Sequence, residues 1–310
     1  RLHLERNQIK KISTNATKRL KKLEYLLLHQ NNLGPSSIER GALGKLRKLH
    51  TLHIFGNHLT EIPEPLPKRL NTLIVLNNKI SLISSNVFRR AKHLQNLNLR
   101  YNKLSNKGIA RGALRQLKSA DRIDLSGNLL RSVPGLPRNV TTLLLNRNRI
   151  RRIPARGFMR TQHLRQLGLA DNRIRSEGIP VTAFKSNAAI QVLDLSSNEL
   201  VRVPRLLPPN VEFLYLQNNK ISEIPKNAFH SAPKLKGIFL QDNRLLPETV
   251  FRAAFSSLRW LHRLEISWRR LEPHELDAET INRRRKRNTL SLQESVSRKY
   301  HRRKVPVRLI

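Results

Sequence analysis

Along most of the chain one pattern returns, L-x-x-L-x-L-x-x-N-x-L, and nothing else in the sequence narrows the folding choices as much. LEYLLLHQNNL, LHTLHIFGNHL, LQNLNLRYNKL, IQVLDLSSNEL and VEFLYLQNNKI all fit it. Its asparagines fall at Asn7, Asn31, Asn57, Asn78, Asn102, Asn128, Asn148, Asn172, Asn198, Asn219 and Asn243, and a twelfth copy places Arg269 there. Within L-x-L the period of two marks a short strand whose leucines point inward and whose intervening residues point the other way. One copy is too small to bury its leucines alone, so copies must stack, each touching its neighbours. The asparagine side chain can bond backbone groups of the turn that leaves the strand, and stacking turns these bonds into a ladder.

This is the spacing of leucine-rich repeats. The expected fold is an α/β leucine-rich repeat solenoid, a horseshoe of about 12 repeats over residues 1–271. Its concave side should be a parallel sheet and its convex side mostly extended or short-helical. The full period is three repeats: Asn57 to Asn128 spans 71 residues, Asn128 to Asn198 spans 70, and Asn198 to Arg269 spans 71. Each longest repeat carries an inserted turn, as in LSNKGIARGAL and IRSEGIPVTAF, and each short one returns through a proline-rich segment such as EIPEPLPKRL or SVPGLPRNV. Proline presets an extended backbone and has no N–H to donate, so these returns should be extended instead of helical.

The short-long-long rotation, the I-P-x-x-L-P-x-x-L return and the D-L-S-x-N strands from Asp124 to Asn128 and Asp194 to Asn198 resemble the small leucine-rich proteoglycan class. The resemblance runs from about Leu2 to Leu271. It implies a secreted extracellular matrix protein that binds collagen, glycosaminoglycan or cell-surface receptors. The chain departs from the class in having no cysteine.

Charge points to partners independently. Sixty Lys+Arg stand against 21 Asp+Glu, a formal +39, more than solubility requires and a signature of polyanionic partners. No apolar run of about 18 residues occurs, so no segment reads as a membrane-spanning helix. The sequence opens on Arg1 inside a repeat, which reads as a piece of a longer or processed chain whose targeting segment lies outside it. Beyond Leu271 the leucine period stops, and residues 272–310 read as a basic, largely disordered tail with 11 Lys+Arg.

The repeat register sorts the basic residues by face. The position after the ladder asparagine holds Lys79, Lys103, Arg149, Arg173, Lys220, Arg244 and Arg270, interrupted by Leu129 and Glu199. Strands about 4.8 Å apart make this a basic row along one edge, well inside a Debye length of about 8 Å, so a linear polyanion would relieve its self-repulsion. Lys18, Arg19, Lys21 and Lys22 form a convex cluster with Lys45, Arg47 and Lys48; Arg151 and Arg152 extend the row outward; Arg283, Arg284, Arg285, Lys286 and Arg287 crowd the tail. These are the expected heparin or heparan sulfate contacts. The run Arg284 to Arg287 also resembles a furin-type cleavage site.

The concave positions carry nearly balanced charge. Leu27, Phe55, Ile74, Leu76 and Tyr101 present apolar surface early, Phe213, Tyr215, Phe239 and Trp268 do so late, and Arg100, Arg122, Asp124, Arg147 and Asp194 lie between. Aromatic and arginine anchors on an apolar patch are the residue types expected of a protein-binding face, here for collagen or another matrix protein. The same patches would also suit a second copy of the chain. Asn15 and Asn139 stand in N-x-T sequons and are the expected glycosylation sites.

No G-x-S-x-G, P-loop, H-E-x-x-H or paired-carboxylate motif occurs, so the chain reads as non-enzymatic, with no cofactor and no metal. His29, His50, His53 and His58 form the nearest metal-like group, with His50 and His53 expected on a strand and no need for the four to converge. An intracellular adaptor for nucleic acid or acidic proteins, importing itself through the tail arginines, is the alternative, favoured by the lack of cysteine. Nucleic acid is the poorer fit, because no aromatic residues interleave with the basic ones for base stacking.

Overall fold

A computed structural model describes residues 1–268. Its strands are β1 (Leu2–His3), β2 (Tyr25–Leu27), β3 (Thr51–His53), β4 (Thr72–Ile74), β5 (Asn96–Asn98), β6 (Arg122–Asp124), β7 (Thr142–Leu144), β8 (Gln166–Gly168), β9 (Val192–Asp194), β10 (Phe213–Tyr215), β11 (Gly237–Phe239) and β12 (Arg263–Glu265). They form one parallel sheet in sequence order. The leucine-rich repeat solenoid is therefore as the repeats require. The register carries Leu26, Leu52, Leu73, Leu97, Ile123, Leu143, Leu167, Leu193, Leu214, Ile238 and Leu264 side by side, all buried in one continuous core.

The asparagine ladder explains why the stack stays in register. Asn148 is typical. Its Nδ2 donates to the carbonyls of Leu145 and Asn146 in its own turn and to Leu125 one repeat back, and its Oδ1 accepts the N–H of Leu130. One buried amide thus satisfies four backbone groups that solvent cannot reach.

The convex side follows the three-repeat period. Phe88, Phe158 and Phe229 are fully buried under successive first long repeats, and Phe158 and Phe229 pack against Phe184 and Phe255 of the next repeat with ring centroids 6.2 and 5.5 Å apart. In the first period the place of these phenylalanines is taken by Thr17, whose hydroxyl donates to the Ala42 carbonyl at 2.8 Å. The proline-rich returns carry no helix, while the inserts carry short 3-10 turns such as Leu114–Gln116 and Ser176–Gly178. No helix among the described residues is long and apolar enough to cross a membrane.

Candidate binding surfaces

Four residues per repeat face the concave side: the outer two of each strand and the two that precede the ladder asparagine. The second of these last two has left-handed backbone throughout, with φ between 52° and 68° at Gln30, Gly56, Asn77, Tyr101, Gly127, Arg147, Asp171, Ser197, Asn218 and Asp242. A non-glycine residue there costs about 1–2 kcal/mol, which the asparagine bonds closing the same turn offset. The turn lifts these side chains out along the concave rim.

Tyr101 and Arg147 show the result. Gly127 lies between them, and a Cβ on it would sit 2.2 Å from the Tyr101 ring, so the ring lies flat across that glycine. The phenol then accepts hydrogen bonds from Arg147 at 2.7 Å and Arg100 at 2.9 Å, and the Arg100 guanidinium sits 4.5 Å from the ring centroid. The Arg100 bond, with help from Arg147, holds the Tyr101 phenol below the ordinary tyrosine range. Two donors already point at its oxygen, so the phenolic proton is left to be donated outward. Arg147 also faces Asp171 at 3.4 Å, but with both side chains about 60% exposed that pair contributes at most about 1 kcal/mol and leaves the arginine available.

Aromatic groups occupy both flanks of this centre. Late in the sheet Tyr215 stacks on Phe239 at 4.5 Å, with the Arg263 guanidinium 4.9 Å from the Phe239 ring. Gly237 makes room: a Cβ there would be 2.8 Å from the Phe213 ring. Early in the sheet His29 stacks on Phe55 at 4.2 Å, His53 lies 6.4 Å from His29, and Arg1 covers Tyr25 at 4.6 Å. Leu27, Ile74 and Leu76 are half-buried beside them, and Arg122 is exposed.

Two expected concave contacts need correction. Asp124 is only 5% exposed, because its carboxylate turns back to accept the Ser126 N–H at 2.9 Å. Phe239 is 6% exposed, enclosed by Tyr215 and Arg263, so it supports the surface instead of forming it. Asp194 is likewise engaged, accepting from the Ser196 N–H and hydroxyl. Tyr25 and His29 join this face beyond the expected set, and the repeat register alone places them beside Thr51 and Phe55.

The basic edge lies where the register places it. Lys79, Lys103, Arg149, Arg173, Lys220 and Arg244 are exposed, and their N–H groups donate to the preceding repeat at 2.8–2.9 Å, which fixes their spacing. Glu199 sits in this row, paired with Arg175 at 2.9 Å; that bond, with Lys220 and Arg173 nearby, holds its carboxyl below the usual range. Arg151 and Arg152 join Arg173 and Arg175 around an open groove of about 800 Å³. Lys18, Arg19, Lys21, Lys22, Lys45, Arg47 and Lys48 are exposed on adjoining convex segments. The tail cluster Arg283 to Arg287, with Arg270 and the 272–310 segment, lies outside the described residues.

A leucine-rich repeat family model matches residues 1–59, 68–130, 138–200 and 209–271. Mouse podocan is 42% identical over 266 residues, covering 86% of this chain and 44% of podocan, and rat lumican is 33% identical over 273 residues, covering 86% of this chain and 79% of lumican. The chain belongs to the small leucine-rich proteoglycans. It spans about half the length of the podocan relatives it matches. Among solved structures, a chain from an octameric complex of Latrophilin 3, Unc5D and the leucine-rich repeats of FLRT2 superposes with a TM-score of 0.77 at 25% identity, covering 94% of this chain and 84% of that one.

In this small leucine-rich proteoglycan chain the two sequon asparagines are exposed, yet both sequons are tied into the fold. The Asn139 amide donates to the Lys118 carbonyl at 2.8 Å, as Asn210 does to Ala188 one period later. Asn15 lies on a short helix, α1 (Thr14–Thr17), capped by Ser13, and its partner Thr17 is buried. Of the four histidines only His29 and His53 are neighbours, and His50 and His58 do not join them. His50 precedes β3 instead of lying in it, a correction to the expected register, and His58 is exposed on the edge. Among the described residues no group of three His, Asp or Glu side chains could hold a metal ion.

Proposed function

We propose that the chain is a non-enzymatic extracellular matrix protein that binds collagen or another matrix protein, or a cell-surface receptor, on its concave face and heparan sulfate along its basic edge and convex clusters. The podocan and lumican relatives support the matrix setting. One observation carries the division of labour: the Arg100–Tyr101–Arg147 cluster offers directed donors between aromatic flanks on the concave face, while the exposed, mostly unpaired cations lie on the edge and outer side. Anchors of this kind suit a protein ligand, whereas a row of cations one strand apart suits a linear polyanion. The glycosylation expected at Asn15 and Asn139 belongs to the same secreted setting.

Heparin affinity chromatography tests the polyanion half. Elution well above physiological salt is expected; elution at or below it would remove that half and leave the concave proposal standing. Immobilised fibrillar collagen tests the other half, with Tyr101→Ala/Arg147→Ala expected to bind at least about tenfold more weakly than the parent chain.

A further inference from the structure

The three-repeat period repeats one close approach four times, and open grooves lie beside the third and the fourth. In each, the inserted turn of a long repeat approaches the repeat before it: the N–H groups of Ile12, Ile83, Ile153 and Ile224 donate to Ser37, Gly108, Gly178 and Thr249 at 2.7–2.9 Å. At Gly178 the approach is so close that a Cβ would lie 2.5 Å from the Arg151 carbonyl oxygen. The scaffold is common to all four, but the lining is not. The third groove presents Arg151, Arg152, Arg173 and Arg175. The matching positions hold Ser222, Glu223, Arg244 and Leu246 in the fourth, Ser81, Leu82, Lys103 and Ser105 in the second, and Lys10, Lys11, Asn32 and Gly34 in the first. Four arginines are therefore not a requirement of the fold.

We propose that this third groove is a discrete binding site for a short sulfated segment of glycosaminoglycan, a claim that rests on the heparan sulfate half of the proposed function. The side chains of Arg151, Arg152 and Arg173 form no hydrogen bond or ion pair with a described residue. Arg175 is held by Glu199 at 2.9 Å and is still 65% exposed, so a sulfate oxygen would share it with that carboxylate. Glu177 also lines the groove and sets a limit on its net charge. Guanidinium groups present two parallel donors to an oxyanion, which an ammonium does not. Arg149 continues the cations along the edge from Arg173, giving a linear ligand a path out of the groove. Among the described residues no aromatic ring lines it, so they offer no platform for nucleobases.

The experiment uses the full chain and a size-defined heparin hexasaccharide, followed by fluorescence anisotropy at physiological salt. The variant Arg151→Ser/Arg152→Glu/Arg175→Leu installs residues that the fourth groove already carries, and the control Lys68→Ser/Arg89→Ser/Arg90→Ser/Lys92→Ser makes the same change in net charge at exposed positions outside the proposed heparin contacts. Saturable binding is expected, weakened at least about tenfold by the groove variant and within about twofold by the control. Arg151→Lys/Arg152→Lys keeps the charge and loses the fork; an intermediate loss from it supports the site even if the triple variant melts early. Equal losses in groove variant and control overturn the discrete site while leaving edge-wide heparin binding intact. Failure of the parent chain to bind either the hexasaccharide or long heparin removes the underlying reading as well. Hexaglutamate or a hexanucleotide binding as tightly as the hexasaccharide overturns the sulfated class.

Discussion

The Tyr101 phenol and the Arg147 guanidinium, 46 residues apart in sequence, meet at 2.7 Å across the backbone of Gly127. Three repeats are joined by one hydrogen bond, and it forms because the residue before each ladder asparagine is left-handed and aims its side chain along the rim. The glycine is the condition for that bond. Its φ of 68° already favours glycine, and the ring above leaves no space for a methyl group. Gly127→Ala is expected to lose about 1–3 kcal/mol in urea unfolding and to return the Tyr101 phenol toward the ordinary tyrosine range, read by ultraviolet titration against Tyr101→Phe. An unchanged unfolding midpoint with an unchanged titration would show that the ring does not lie there.

Ladder asparagines should differ in cost with position. Asn148→Ala strips the Leu130 N–H and three carbonyls of a buried partner and is expected to cost about 2–5 kcal/mol. In a protein of these 310 residues Asn7 is exposed and bonds only the Leu4 and Glu5 carbonyls, so Asn7→Ala made in it is expected to cost under about 1 kcal/mol. Equilibrium denaturation of the two variants side by side checks the contrast.

Much of this is legible in the sequence. The L-x-L alternation and ladder spacing place every strand and the buried leucine column, because stacking identical units leaves them one way to pack. The left-handed turn was not legible: Gln30, Tyr101, Arg147, Asp171 and Ser197 share it without a common side-chain chemistry, since the asparagine that follows imposes it. The burial of Asp124 and Phe239 escapes the sequence for a related reason. Register tells which way a side chain starts, but not that a carboxylate will fold back onto the Ser126 N–H or that a ring will be covered by Tyr215 and Arg263. The arginine groove joins residues from two repeats through a close approach at Gly178, a contact that no single repeat displays.

The early concave face should respond to acid. Burial, with the nearby His29, lowers the His53 pKa below its ordinary 6.5. A histidine depressed in the folded state binds more protons when unfolded, so its contribution to stability is whole above pH 6.5 and is lost as pH falls through the folded value. Melting temperature is expected to drop between pH 7.5 and 5 in the parent chain and to drop less in His53→Gln. Identical pH profiles for the two would rule out His53 as a source of the acid sensitivity.

A solenoid with two separate binding faces holds both ligands at once, and surface plasmon resonance on immobilised collagen measures whether it does. With a saturating concentration of heparin hexasaccharide present, the chain is expected to bind collagen with its affinity unchanged, while Tyr101→Ala/Arg147→Ala loses collagen binding and keeps its heparin elution position. Competition between hexasaccharide and collagen, or parallel loss of both ligands in the concave variant, would contradict it.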